Sequence, residues 1–112
     1  MSAYCLKEVR DKIEMKQKLL GVLPKAAIYE QLAEECAELS KAALKRARQL
    51  RGDNPTPVTE NEALNMLREE AGDVKCCLYL LDEEFTPCDY ESKMSRWLNR
   101  LRVALTGSRK KN

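Results

Sequence analysis

The chain contains no histidine, only four glycines and four prolines among 112 residues, and few aromatic side chains. Without histidine it cannot supply the Glu-x-x-His ligand pairs of bundle-core di-iron sites or a histidine-activated nucleophile. Its five cysteines have no CxxC spacing, which further argues against zinc. Apolar runs are too short to span a bilayer, and no signal-peptide core is present. We therefore expect a cytoplasmic protein with reduced cysteines and no membrane segment.

The abundant residues are Ala, Leu, Glu, Lys and Arg, which favour helices. Apolar residues at helical spacing predict four helices, over residues 2–20, 24–50, 59–81 and 86–107. Thr59 and Thr86 are the predicted caps of the last two, and Gly107 is predicted to end the fourth before a basic, frayed tail at 108–112. Short connections predict one domain, 1–112, with an all-α, four-helix bundle fold. A chain this short buries a modest core, so we also expect oligomerisation.

Two acidic segments stand out, one in each of the middle helices. They are Glu34-Glu35-Cys36-Ala37-Glu38 and Glu69-Glu70-Ala71-Gly72-Asp73. On a helical projection, Glu35 and Glu70 lie about 60° to one side of their predicted apolar stripes. Glu38 and Asp73 lie further out on that side, whereas Glu34 and Glu69 point elsewhere. If the two helices pack side by side, four carboxylates gather at one seam.

Acidic residues are common on exposed helix faces, and each one alone has that simple explanation. The matching positions in two helices favour a shared cation site, because four converging negative charges repel one another without a cation. Oxygen ligands favour Mg²⁺, with Mn²⁺ as a substitute. Small residues beside the acids, Ala37, Ala71 and Gly72, predict a close approach of the two helices. Gly72 costs about 1 kcal/mol relative to Ala inside a helix, which suggests a packing requirement there.

The fourth predicted helix carries an apolar stripe and a basic flank. We expect the stripe to be buried; its members are Met94, Trp97, Leu98, Leu101 and Leu105. Lys93, Arg96 and Arg100 share one flank of the same helix. A solvated helix face explains these three cations as well as phosphate binding does.

The segments Leu32-Ala33-Glu34-Glu35-Cys36-Ala37-Glu38-Leu39 and Glu69-Glu70-Ala71-Gly72-Asp73-Val74 resemble the EExxE and ExxD signature of the MazG-like, all-alpha nucleoside triphosphate pyrophosphohydrolases. The resemblance covers roughly residues 28–81 and extends more loosely to the fourth helix. It looks closest to the small single-domain members of bacteria and phages. It implies an enzyme that hydrolyses a nucleoside triphosphate between the alpha and beta phosphorus atoms, giving a monophosphate and pyrophosphate, in nucleotide-pool clearance. Such enzymes commonly work as homodimers or homotetramers.

The resemblance also implies roles for individual residues. Glu34 matches the first acid of the signature and would orient or activate water. Lys93 and Arg96 match downstream basic positions and would bind substrate phosphate. The implied Mg²⁺ ligands are Glu35, Glu38, Glu70 and Asp73.

Two other functions remain open on the sequence. A hydrolase of the same chemistry could act on phosphoribosyl-ATP or a nucleotide alarmone, because the acidic signature does not define the base pocket. A non-enzymatic helical adaptor could bind nucleic acid through the basic tail and fourth helix. Those basic residues lack interleaved exposed aromatics and a recognised motif, so the pattern argues against nucleic acid as a partner.

Overall fold

A computed structural model of the protein describes residues 3–53 and 58–110. Within this part the chain forms helices and loops without any strand, which confirms the predicted all-α class. The predicted helix start at Ser2, the loop residues 54–57 and the tail residues 111–112 lie outside the described residues. The helices are α1 (Ala3–Val22), α2 (Lys25–Arg51), α3 (Glu60–Leu80), α4 (Asp82–Phe85) and α5 (Glu91–Lys110).

The ends of the two central helices follow from local chemistry. α2 ends at Gly52, whose φ of 78° is the left-handed conformation that glycine adopts without a Cβ clash. The Gly52 N–H donates to the carbonyl oxygens of Arg48 and Gln49. α3 begins after Thr59, whose hydroxyl oxygen accepts a hydrogen bond of 3.1 Å from the Glu62 N–H. This bond confirms Thr59 as the predicted cap of the helix.

The core lies mainly between α2 and α3, which pack extensively along each other. Alanines at the seam allow the two backbones to approach, since Ala42 and Ala63 are both buried. The other buried apolar residues are Ile28, Cys77 and Leu81. The α2–α3 hairpin is therefore the folded centre of the chain, and it carries both acidic segments.

The short helix α4 was not predicted, and its acids contact two of the longer helices, α1 and α2. The Lys16 ammonium lies 2.8 Å from the Asp82 carboxylate, which joins α1 to α4. The Tyr29 hydroxyl donates to the Glu84 carboxylate, and Lys25 lies 3.5 Å from the same group. The Tyr29 hydrogen bond, followed by Lys25, lowers the pKa of Glu84, and the same bond raises the pKa of Tyr29.

The predicted boundaries of the last helix are wrong at both ends. Thr86 does not cap it, because the Thr86 hydroxyl donates to the Asp82 carbonyl oxygen at 2.9 Å. Asp89 accepts from the N–H groups of Glu91 and Ser92 instead, so α5 begins several residues later than expected. At the other end the helix passes through Gly107 and continues to Lys110.

One copy of the chain leaves its outer helices largely uncovered. The prediction that the α5 stripe is buried is wrong for the protomer, because its five apolar residues are each at least half exposed. On α1 the apolar residues Leu6, Val9, Ile13 and Leu20 are also exposed. The radius of gyration is 19.7 Å, whereas a compact domain of this length has about 13 Å. A compact bundle is therefore not formed by the protomer alone.

Candidate metal centre

Three of the four predicted metal ligands converge at the α2–α3 seam. Glu35 from α2, and Glu70 and Asp73 from α3, each place a carboxylate oxygen within 4.8 Å of the other two. Oxygens bound to a single Mg²⁺ lie at most about 4.2 Å apart, because each is about 2.1 Å from the ion. The three carboxylates therefore match a hard cation in the chemistry of their ligand atoms, while the 4.8 Å that bounds their spacing is wider than a single bound Mg²⁺ requires.

The buried faces of α2 and α3 are rotated relative to the predicted apolar stripes, in the direction of Glu35 and Glu70. On α2, Cys36 is exposed although it continues the helical spacing of Leu32 and Leu39, whereas Glu35 is half-buried. On α3, Cys77 is buried while Leu78 is exposed. Since both helices turn in the same sense, Glu35 and Glu70 face the seam more directly than the projection indicated.

The cluster therefore has an inner and an outer pair of carboxylates. Glu35 and Glu70 are half-buried, whereas Glu38 and Asp73 are exposed. Burial raises the pKa of Glu70, and the negative charges of Asp73, Glu35, Glu38 and Glu69 raise it further. Glu38 is thus electrostatically close to the cluster although it is outside the three that converge. A bound cation would relieve this repulsion.

Gln31 supports the cluster and was not identified from the sequence. Its side-chain N–H donates to the Glu35 carboxylate at 2.7 Å. The two residues are four apart on α2, which places them as neighbours on one helix face. The spacing could have revealed this contact once Glu35 was selected. A hydrogen bond of this kind restrains the orientation of a ligand carboxylate.

Glu34, Glu38, Lys93 and Arg96 have different positions from the converging three. Glu34 is exposed, as its projected direction indicated, and Glu38 forms an exposed ion pair of 3.3 Å with Lys41. Lys93 lies with its ammonium 6.0 Å from the Trp97 ring centroid. Neither Lys93 nor Arg96 forms an ion pair with a carboxylate among residues 3–53 and 58–110. Within one copy, the structure does not bring these two cations to the cluster.

Gly72 does not lie at a close helix contact within the protomer. A Cβ placed on it would meet no atom within 4 Å in the described part of the chain. The prediction that Gly72 brings α2 and α3 together is therefore wrong, since no atom of α2 lies that close to it. The open space beside Gly72 belongs to the other side of α3.

The fold and the cluster together define an all-helical protein whose central α2–α3 hairpin brings three carboxylates together. Comparisons of the chain with models of protein families, with curated proteins and with solved structures found no match. Of the described helices, none combines the length and apolar character needed to cross a membrane.

Proposed function

We propose that this protein is a MazG-like, Mg²⁺-dependent nucleoside triphosphate pyrophosphohydrolase. The observation that carries the proposal is the convergence of Glu35, Glu70 and Asp73 from two packed helices. These are three of the four ligands that the resemblance assigns. The reaction adds water across the bond between the alpha and beta phosphates and releases a nucleoside monophosphate and pyrophosphate, serving nucleotide-pool clearance.

The acidic residues of the hairpin would bind Mg²⁺ from two sides, depending on whether they are half-buried or exposed. Glu35 and Glu70 would hold Mg²⁺ from the seam, while Asp73 and Glu38 would complete the ligand set from the solvent side. Gln31 would keep the Glu35 carboxylate turned towards the cluster through its hydrogen bond. A bound Mg²⁺ supplies polarisation of a phosphoryl oxygen and a lowered pKa for bound water. Glu34 would act on water from the exposed side.

The electrostatics of the cluster support a metal-assisted role with a polyphosphate. An anionic substrate cannot approach converging carboxylates unless a cation screens them, since like charges in contact repel strongly. Burial, followed by repulsion among these carboxylates, raises the pKa of Glu70. Lys93 and Arg96 would offset phosphate charge if association of copies of the chain brought them to the cluster.

The protein would form a homodimer or homotetramer in which the helices complete four-helix bundles. The exposed stripes on α1 and α5 support this, because one copy leaves them uncovered.

Pyrophosphate release tests the proposed reaction. We expect a panel of nucleoside triphosphates with Mg²⁺ to yield pyrophosphate, and the preferred member to define the base and sugar. Glu38→Gln and Asp73→Asn should each abolish most of the activity, whereas Glu30→Gln, at an exposed acid of α2 outside the ligand set, should retain it. Activity that survives both ligand substitutions would exclude this reaction site.

A further inference from the structure

The apolar face of α5 is a continuous surface with no cover in the protomer. Trp97, Leu98 and Leu101 are exposed by 58%, 65% and 52%. Together with Met94 and Leu105 they recur at helical spacing over three turns. A polar face surrounds this stripe, so the helix is amphipathic without an apolar partner. Large apolar surfaces of this kind mark contact with another molecule.

The amount of exposed surface fits an extensive contact between copies. The chain exposes 9468 Å², whereas a folded monomer of the same mass exposes about 6,300 Å². The excess is about 3,200 Å² by the same relation. A standard interface needs about 800 Å² from each partner, and obligate dimers bury considerably more. The excess is therefore large enough for an obligate assembly.

An apolar groove between α1 and α3 provides a matching receptor. It has a volume of about 450 Å³, and its apolar lining comes from Met15 and Leu19 on α1 and from Cys76, Tyr79 and Leu80 on α3. Gly72 also lines it, at the place where an added Cβ would meet nothing within 4 Å among the described residues. An approaching helix could come closest at this glycine.

The charges on α5 and on α3 determine which way round α5 would bind in the groove. Between 91 and 106, α5 has one acidic residue against four cations, Lys93, Arg96, Arg100 and Arg102. Two α5 helices packed on each other would therefore repel. The segment 60–84 has eight acidic and two basic residues, and on a helical projection Glu69 and Asp73 lie on the groove side of α3. The charged residues that line the groove itself are Lys12, Lys16 and Lys75. Lys16 is paired with Asp82, and both Lys12 and Lys16 lie over the Tyr79 ring, so the side of the groove that suits the basic flank of α5 is the one towards Glu69 and Asp73.

We infer that the α1–α3 groove of each copy receives the apolar face of α5 from a second copy. The basic flank of the incoming helix then lies towards Glu69 and Asp73. This arrangement brings Lys93 and Arg96 to the carboxylate cluster from the partner, which one copy cannot do. The inference rests on the proposed oligomer but is independent of the proposed reaction.

Three substitutions test the two surfaces separately, with light scattering after size-exclusion chromatography as the readout. Leu101→Glu alters the stripe of α5, and Gly72→Leu fills the groove. Gly72→Leu should leave the protomer folded, because a Cβ at this position meets no atom within 4 Å among the described residues and leucine favours a helix. Val103→Glu is the control, since Val103 is 63% exposed on the opposite face of α5. Circular dichroism checks that each variant stays helical.

We expect the wild type and Val103→Glu to have at least twice the chain mass of 12.8 kDa, and both Leu101→Glu and Gly72→Leu to dissociate at least tenfold more readily. A monomeric wild type would overturn both the oligomer and the inference. If only Leu101→Glu weakens the oligomer, α5 contacts a surface other than the groove. If neither variant weakens it, the α5 surface is not part of the contact between copies.

Trp97 gives a readout on the unaltered protein, because it is the only tryptophan in the chain. Its emission should be blue-shifted in the assembled state and move to longer wavelength when dilution separates the copies. Emission typical of exposed tryptophan at all concentrations, with the protein still assembled, would contradict the role of α5. None of these measurements uses catalytic activity, so loss of the proposed reaction would leave their outcome unchanged.

Discussion

The α2–α3 hairpin and α5 have similar amphipathic sequences but opposite environments. In the hairpin, the apolar faces of two helices cover each other and leave Ile28, Ala42 and Ala63 buried. On α5, every member of the apolar stripe is at least half exposed. The hairpin thus has its packing partner within the chain, whereas the apolar stripe of α5 has no such partner among the described residues. The apolar pattern of a helix predicts that its apolar face will be buried, but it does not identify the surface that buries it.

The largest difference between the hairpin and α5 should be in the loss of unfolding free energy when a β-branched apolar residue is replaced by alanine in each. Ile28→Ala removes a side chain that is 3% exposed, so we expect it to lower the free energy of unfolding by about 2–5 kcal/mol. Val103→Ala, on the outer face of α5, should change it by less than about 0.5 kcal/mol. Urea unfolding measures both, and equal losses would contradict the division into a packed hairpin and an exposed helix.

Magnesium should stabilise the hairpin through its acids. At a concentration 100-fold above the dissociation constant, binding to the folded state alone adds about 2.7 kcal/mol to the free energy of unfolding. Differential scanning calorimetry in MgCl₂, compared with a monovalent salt of equal ionic strength, should show a higher melting temperature for the wild type. The shift should largely disappear in Asp73→Asn. An equal shift in that variant would point to general screening of charge.

Gln31→Ala should have a smaller effect that is specific to the site. The substitution removes the hydrogen bond to Glu35, and loss of a partner that orients a metal ligand lowers metal affinity or activity by about 10–100-fold. Asn65→Ala, at an exposed amide of α3, is the matched control. Titration with Mg²⁺ followed by the rate of pyrophosphate release separates affinity from maximal rate. Unchanged constants would mean that the hydrogen bond does not support the site.

The weakest expected effect is a dependence of stability on pH caused by Glu70. Burial and neighbouring carboxylates raise its pKa in the folded state, so the folded protein holds a proton more tightly than the unfolded chain. The resulting stabilisation is complete below the unfolded pKa and is lost as pH rises through the raised value.

In chelator, therefore, the wild type should become more stable relative to Glu70→Gln as the pH falls from neutral. Melting temperatures across this range provide the measurement, with Glu30→Gln, an exposed acid of α2, as the control. A difference between wild type and Glu70→Gln that does not change with pH would contradict the raised pKa.

The sequence predicted the hairpin and its acids well because those features depend on local periodicity. Thr59 as the α3 cap follows from short-range chemistry, and so does the placement of Glu35, Glu70 and Asp73 on facing helices. The exact rotation of each helix was missed, since it depends on how Ala42 and Ala63 pack across the seam. The position of α5 was missed for a different reason: its covering surface is not provided by one copy.

The contacts of the short helix α4 also could not be predicted from the sequence. Asp82 and Glu84 were read as a connection, but their contacts are to Lys16 and Lys25, which are distant in the chain. Those ion pairs depend on tertiary packing that brings distant segments of the chain together. No periodic pattern over four residues could have indicated them.

The central claim is that carboxylates from two helices act on one cation, and Mn²⁺ binding tests it most directly. Electron paramagnetic resonance detects free Mn²⁺, so its loss on addition of protein gives the affinity without any substrate. We predict that the wild type binds Mn²⁺, that Glu35→Gln on α2 and Asp73→Asn on α3 each weaken binding at least tenfold, and that Glu30→Gln and Glu69→Gln retain it. Binding that is absent, or that depends on the acids of only one helix, would contradict a shared site at the α2–α3 seam.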